Sequence, residues 1–244
     1  MLQIDSFGIA FRQHDGRRLV PLQGVSLTLA RGEVAGLVGG SGAGKSLIAE
    51  ALTGRLPRNA ELSGRLTIDG LPPRPGQIAL APQGIDSLDP LARIGPQIAR
   101  FARLAQRNVD IAAVLAELGL PATVAQAYPH ELSGGMAKRA LIATALATGA
   151  AWIIADEPTL GLDPEAADRI MALLAGLAER GKGVLIISHD LVRLVARADR
   201  VTILRDGRLV ETAAAAAFAG GSLVQDFSRD LWAAQTWVDL AAPC

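Results

Sequence analysis

Gly39-Gly40-Ser41-Gly42-Ala43-Gly44-Lys45-Ser46 decides how this chain is read. The stretch has the form G-x-x-x-x-G-K-S. An apolar run, Glu33 to Val38, precedes it and reads as a strand; an apolar helix from Lys45 to about Leu52 follows. Glycines let the backbone curl until several N–H groups point at one phosphate, and the helix behind them presents its positive end. In such a loop the lysine reaches the outer phosphates and the serine offers a hydroxyl to Mg²⁺. A chance glycine-rich turn needs neither the strand before it nor the helix after it. Gly39, Gly40, Ser41, Gly42, Ala43, Gly44, Lys45 and Ser46 are therefore expected to bind a nucleotide.

Working outward, Trp152-Ile153-Ile154-Ala155-Asp156-Glu157 is an apolar strand that ends in two acids. Downstream of a phosphate loop, a strand tip can put Asp156 where a carboxylate helps hold Mg²⁺. Glu157 then stands where a general base orients and deprotonates the attacking water. His189 follows another apolar run, Val184 to Ile187. A lone histidine is usually structural, but ligands of α/β sheets bind at strand ends, and a γ-phosphate contact is the better reading. Leu132-Ser133-Gly134-Gly135-Met136 precedes a helix expected to start near Ala137. A serine and two glycines there fit a plain N-cap and turn or an anion site, and the residues alone do not choose.

Further out, Leu2 to Phe7 and Val25 to Leu29 alternate like half-buried strands, and Leu66 to Ile68 ends at a hairpin-type Asp69-Gly70. Ile78 to Leu80 is another short strand. From Asp89 to about Leu146 the pattern turns helical, with Ile94, Ile98, Phe101 and Leu104 three or four apart. The α/β pattern then returns: Pro164 to Arg180 reads as a helix, and Val201 to Leu204 pairs with Leu209 to Glu211 around Asp206-Gly207. The expected fold is a mostly parallel α/β core with an antiparallel β part near the N-terminus and a helical insertion. Leu223, Phe227 and Leu231, near Trp232 and Trp237, mark a terminal amphipathic helix. Packing on the chain's own core is its leading reading, and a docking surface the other.

The 244 residues suffice for one substantial domain with an inserted subdomain, and half of them are apolar. Lys+Arg and Asp+Glu balance at 24 each, which argues against bulk electrostatic binding of nucleic acid or anionic lipid. Only three lysines occur: Lys45, Lys138 and Lys182. The one cysteine, Cys244, forms no internal disulfide or multi-cysteine metal site, which fits a reducing compartment. Met1 to Phe7 alternates and carries Asp5, unlike a signal peptide. Ala140 to Ala155 is short for a membrane span and reads as a helix end, a turn and a strand. A soluble protein is expected, with any membrane role exercised through a partner.

In this order the pieces resemble an ATPase subunit of the ABC (ATP-binding cassette) family over nearly the whole chain. Gly39 to Ser46 is similar to Walker A, Leu132 to Met136 to the signature sequence, and Trp152 to Asp156 to Walker B, with Glu157 in the catalytic glutamate place. Gln83 after a short strand resembles the Q-loop glutamine, Leu160-Gly161-Leu162-Asp163 the D-loop, His189 the switch histidine, and Phe11 the aromatic that stacks on adenine. The resemblance implies a P-loop NTPase (RecA-like) core over 1–244, with residues 88–148 as the inserted helical subdomain and 213–244 as a helical tail. It implies catalytic roles for Glu157, His189 and Gln83, nucleotide contacts from Phe11, Ser133, Gly134, Gly135 and Asp163, and Mg²⁺ held by Ser46, Gln83 and Asp156. It also implies that two subunits sandwich two ATP molecules, so that Ser133 meets the γ-phosphate of the partner's ATP.

Pro82-Gln83, Ser87-Leu88-Asp89-Pro90 and Tyr128 to Met136 resemble the dipeptide, oligopeptide and nickel importer branch more narrowly. Members usually have Asn where Asp89 stands, Ala or a similar residue at Gly161, and commonly Gln at Lys138; many also carry a longer C-terminal extension, some with a cysteine cluster. The resemblance implies an importer for peptides, nickel or metal chelates. Its partners would be a second, different ATP-binding subunit, two membrane permease subunits and an extracytoplasmic solute-binding protein. The chain would sit peripherally at the cytoplasmic face of the inner membrane, without inserting. The rival is a soluble ABC ATPase of the DNA-repair or iron–sulfur assembly type; coiled-coil or zinc insertions would mark the repair type, and none is present. A P-loop small-molecule kinase would not need Leu132 to Met136.

Overall fold

The computed structural model describes residues 1–13 and 16–240, the side chains of 236–240 excepted. The expectations resting on Cys244 and on the Trp237 side chain lie outside the described residues. In chain order the elements are β1 (Leu2–Arg12), β2 (Arg18–Leu29), β3 (Val34–Gly39), α1 (Lys45–Leu52), β4 (Ala60–Ile68), β5 (Ile78–Ala81), α2 (Ile94–Leu104), α3 (Ile111–Glu117) and α4 (Gly134–Ala147). They continue as β6 (Trp152–Asp156), α5 (Pro164–Glu179), β7 (Gly183–Ile187), α6 (Leu191–Val195), β8 (Arg200–Arg205), β9 (Arg208–Ala214), α7 (Ala215–Ala219) and α8 (Asp226–Leu240).

The central sheet runs β5-β6-β7-β3-β8-β9, parallel except for the last strand. Its central strands β3, β6 and β7 are apolar because both faces are covered, whereas the edge strand β9 is more polar and partly exposed. Along β6, Ile153 and Ala155 face a core formed with α2 to α6, while Trp152 and Ile154 face a second core formed with α1 and the small sheet. Trp152 is fully buried and donates from Nε1 to the Leu29 carbonyl at 3.3 Å. Gly183 makes room for it, since a Cβ there would lie 2.5 Å from Trp152 Cδ1.

The small antiparallel sheet runs β2-β1-β4. Its strands are longer than the alternation predicts. Register shifts after Ile4, Phe7 and Ile9 break the period-2 pattern while the main-chain ladder continues. The ladder carries β2 back to Arg18, through Leu19 and Val20, which are exposed.

Residues 89–133 are less regular than the continuous helical pattern suggests. Short 3-10 turns at Ala122–Gln126 and Pro129–Glu131 separate α3 from α4. Helix α2 buries Ile94 and Ile98 as expected, but Leu104 at its end is 73% exposed. Helix α4 starts at Gly134, three residues before the expected Ala137, because Ser133 caps it: its Oγ accepts from the Met136 N–H at 3.3 Å. The glycine pair therefore lies in the first turn of the helix.

Strand β9 runs through Ala214, so the helical tail begins at Ala215 rather than Ala213. The tail packs on the chain's own core. Phe218 is buried against Trp232 in an edge-to-face pair, and the Glu211 carboxylate accepts from the Val224 and Gln225 N–H groups. Among the described residues, no helix is long and apolar enough to cross a membrane.

Candidate functional site

Four neighbouring parallel strands end on the same edge of the sheet. Gly39 closes β3, Asp156 closes β6, His189 follows β7 by two residues and Gln83 follows β5 by two. Carboxyl ends of adjacent parallel strands form the crevice where α/β sheets bind ligands. Here that crevice is a cleft of about 540 Å³, lined by residues 38–47 together with Gln83, Asp156, Glu157 and His189. The structure thus gathers into one place groups that stand up to 150 residues apart in sequence.

The phosphate loop has the expected backbone. Gly42 and Gly44 take φ +79° and +91°, in the left-handed region that disfavours side chains. Gly44 also has no room for one, because a Cβ would meet Leu22 Cδ1 at 2.9 Å. As the N-cap of α1, Gly44 supplies no side-chain acceptor, so the first N–H groups of that helix remain open to an anion. Lys45 Nζ donates to the Gly39 and Gly40 carbonyls at 2.8 and 3.1 Å and closes the loop on itself.

Asp156 is 7% exposed, and its Oδ1 is buried with no hydrogen-bond partner. Burial raises its pKa from the ordinary aspartate value; a hydrogen bond from Ser46 and the charges of Lys45 and Lys138 work against that rise, while the Glu157 charge adds to it. An orphaned carboxylate oxygen beside a hydroxyl, with the Gln83 amide on the same cleft, is an oxygen donor set that fits a hard divalent cation such as Mg²⁺.

Glu157 takes φ +46°, a left-handed conformation that costs a non-glycine residue about 1 kcal/mol or more. Its N–H donates to the Ile187 carbonyl at 2.8 Å, and its carbonyl accepts from Lys138 Nζ at 3.1 Å. Its Oε2 lies 2.8 Å from His189 Nδ1. The carboxylate is nearly buried at 10% side-chain exposure, whereas the His189 ring is 61% exposed on the cleft side.

Two residues that escaped the sequence reading of the site also reach it. Lys138, on α4, is buried and donates to the carbonyls of Gln83 and Glu157. Burial lowers its pKa, and the Glu157, Asp156 and Asp86 carboxylates work against that fall. Its sequence signals were its rarity as one of three lysines and its place where the importer branch commonly has Gln. Gln235, on α8, lines the cleft and brackets the switch segment: its Nε2 donates to the His189 carbonyl, and its Oε1 accepts from the Leu191 N–H, both at 2.7 Å. A single glutamine on a terminal helix carries no sequence signal at all.

Other expected residues are not brought together in this chain. Ser133, Gly135 and Asp163 line a separate hollow of about 180 Å³ beside Gly161 and Leu162. Gly134 lines that hollow too, and also a cleft of about 830 Å³ shared with Ser46, Gln83 and Asp156. The Asp163 side chain caps α5, accepting from the Ala166 N–H at 2.8 Å. Phe11 is half-buried on β1 against the second core and lines none of these hollows. It lies on the same small sheet as Leu22, which abuts Gly44.

The family description "ABC transporter" matches residues 22–160. The chain belongs to the ABC transporter family. The match takes in the phosphate loop, the 132–136 stretch and Asp156-Glu157, and stops short of His189. Among its relatives, the peptidoglycan transport ATP-binding protein YejF of Agrobacterium fabrum is 37% identical, over 87% of this chain and 43% of its own length. The oligopeptide transport ATP-binding protein OppD of Mycobacterium bovis is 32% identical, over 87% of this chain and 38% of its own. The glutathione import ATP-binding protein GsiA of Salmonella choleraesuis is 35% identical, over the same shares. The chain thus spans about two fifths of the length of these relatives. The fold is similar to a dimeric post-hydrolysis ATP-binding cassette bound to ADP and Pi, with TM-score 0.76, 25% identity, and coverage of 88% of this chain and 99% of that one. It is equally similar, at TM-score 0.76 and 25% identity over 91% of each chain, to a Clostridium perfringens protein that is part of an ABC transporter complex.

Proposed function

We propose that this chain is the ATP-binding and ATP-hydrolysing subunit that energises an ABC importer. The observation that carries the hydrolytic half is the Glu157 Oε2–His189 Nδ1 pair, set beside the orphaned Asp156 oxygen and above the open end of α1. The importing half rests on the names of the relatives, which favour transport over a soluble cassette for DNA repair or iron–sulfur assembly. Those names point to peptides or glutathione as the cargo class; nickel and metal chelates stay within the proposal from the resemblance of the 82–90 and 128–136 stretches.

In this reading the N–H groups of residues 39–46 and Lys45 bind the phosphates, and Phe11 stacks on the adenine. Lys45 turns from the Gly39 and Gly40 carbonyls to the phosphates when ATP enters. Ser46, Asp156 and Gln83 would hold Mg²⁺, which supplies charge neutralisation on the phosphate oxygens. Glu157 takes a proton from the attacking water, and His189, held by Glu157 at one nitrogen, presents its exposed edge to the γ-phosphate. Ser133, Gly134, Gly135 and Asp163 face a second cassette and complete its site; in support, Ser133, Gly135 and Asp163 open on a different hollow from Lys45. The helical stretch 88–148 is the inserted subdomain, and the partners are a second ATP-binding subunit of a different sequence, two permease subunits and a solute-binding protein. The chain sits at the cytoplasmic face of the cell membrane.

Glu157→Gln tests the catalytic assignment. It keeps the size of the side chain and its contact with His189 but removes the base. ATP binding is expected to persist while hydrolysis slows by ~10²–10⁴-fold. Nucleotide titration and steady-state turnover decide, and near-wild-type turnover in this variant ends the assignment.

A further inference from the structure

Burying an ammonium costs several kcal/mol unless its donors are satisfied. Lys138 is 6% exposed, and the acceptors it finds are two main-chain carbonyls, those of Gln83 and Glu157. Among the described residues, no carboxylate bonds it directly. The three residues come from three elements: Lys138 from α4, five positions beyond Ser133; Gln83 from the segment after β5; and Glu157 from the segment after β6. The contacts on Glu157 matter most, because its backbone is strained at φ +46°. Such a conformation persists only where its surroundings over-determine it. Here β7 holds the N–H of Glu157 through Ile187, and its carbonyl is held from two sides, by Lys138 of α4 at 3.1 Å and by the Leu160 N–H at 3.3 Å. With both peptide groups pinned, the Cα–Cβ direction is set, and so is the place where Oε2 meets His189.

We propose that Lys138 is a positioning residue, whose ammonium ties the signature-bearing helix to the carbonyls of Gln83 and Glu157 and thereby aims the Glu157 carboxylate at the attacking water. The role belongs to this chain's own lysine, at a place where the family commonly has glutamine. It rests on the reading of Glu157 as the general base. The lysine links helix α4 to catalytic geometry, so a shift of that helix moves Glu157 and Gln83 together.

A double-mutant cycle tests this. Lys138→Met keeps length and apolar volume but removes the donors. Misplacing a reacting group by about 1 Å can cost 10²-fold, so the variant is expected to lose about 10- to 100-fold in kcat while KM for ATP stays within about twofold. In the Glu157→Gln background the same change is expected to add less than about twofold, since groups that act as a unit are not additive. A general structural defect would instead multiply through both backgrounds. Lys138→Ala supplies a second route, because it opens a gap onto the cleft that Lys138 lines. Added n-propylammonium is expected to raise its kcat in a saturable way, and the same concentration of tetramethylammonium is not. The proposal is overturned by Lys138→Met turnover within about twofold of wild type, by a full multiplicative loss in the Glu157→Gln background, or by no response of Lys138→Ala to the amine. If Lys138→Met does not fold, the amine response of Lys138→Ala decides alone. Near-normal turnover of Glu157→Gln would sink the base reading itself, whereas a slow Glu157→Gln beside an unaffected Lys138→Met would sink only the role of Lys138.

Discussion

Asp156 is a buried carboxylate at the site proposed to hold a cation. Burial raises its pKa above the ordinary value, and Oδ1 has no partner to relieve it. A carboxyl whose folded pKa exceeds its unfolded pKa binds more protons folded than unfolded between those two values. Its penalty is therefore present in full above the folded pKa and fades as pH falls through it towards the unfolded value. Without metal, Asp156→Asn is expected to be more stable than wild type at neutral pH by about 1 kcal/mol or more. The advantage should shrink as the medium becomes mildly acidic. Mg-ATP should raise the melting temperature of wild type by more than that of the variant, which keeps its phosphate loop but loses a cation ligand. Calorimetry across that range, with and without Mg-ATP, checks all three outcomes; identical melting curves at every pH would contradict them.

At the scale of elements, two contacts change what the sequence suggested. By sequence, the loop after β5 offers two apolar side chains, Ile85 and Leu88, to a membrane subunit. Leu88 is 2% exposed and belongs to the core, whereas Ile85 is 45% exposed at the rim of the larger cleft. Ile85→Asp is therefore expected to fold and to hydrolyse ATP normally while uncoupling transport in the assembled complex. Leu88→Asp should fail to fold, because it buries an unpaired charge. Transport that survives Ile85→Asp unchanged would remove this loop from the docking surface. The second contact belongs to α8, whose Gln235 brackets the switch segment at both ends. Gln235→Ala leaves the His189 carbonyl and the Leu191 N–H without their partner, at a cost of about 1–2 kcal/mol of local stability. Hydrogen exchange at the Leu191 amide is then expected to speed up by about tenfold or more. Unchanged protection there would show that α8 does not hold the loop.

At the scale of the molecule, a single chain holds half of each proposed site. Lys45 and Ser133 open on different hollows, and in the proposed assembly closure takes a second cassette with the γ-phosphate between them. Isolated protein is expected to be monomeric. Mg-ATP with Glu157→Gln should trap a closed dimer, because a ligand that bridges two subunits without being consumed links its binding energy to their association. Ser133→Arg should block that closure by filling the hollow, and leave nucleotide binding at its own phosphate loop intact. Light scattering with and without Mg-ATP, alone and with a candidate partner cassette, reads both effects. A dimer that forms without nucleotide and keeps full activity as Ser133→Arg would contradict this picture.

The phosphate loop, the strand ending in Asp156-Glu157 and the parallel core were legible in the sequence by itself. Their chemistry is local: glycines at φ +79° and +91° curl the loop whatever surrounds it, and a run buried on both faces must be apolar throughout. Helix α1, read as Lys45 to about Leu52, runs Lys45–Leu52 for the same reason. The long ladder of β1 and β2 was not, because bulges break the alternation while backbone pairing continues. The start of α4 was set by the Ser133 cap, and the burial of Leu88 by neighbours far away in sequence. Only the tertiary structure brought Lys138 and Gln235 to the site. Each acts on main-chain groups, which every residue possesses, so no side-chain pattern could announce the pairing; it depends on where separate elements come to rest against one another.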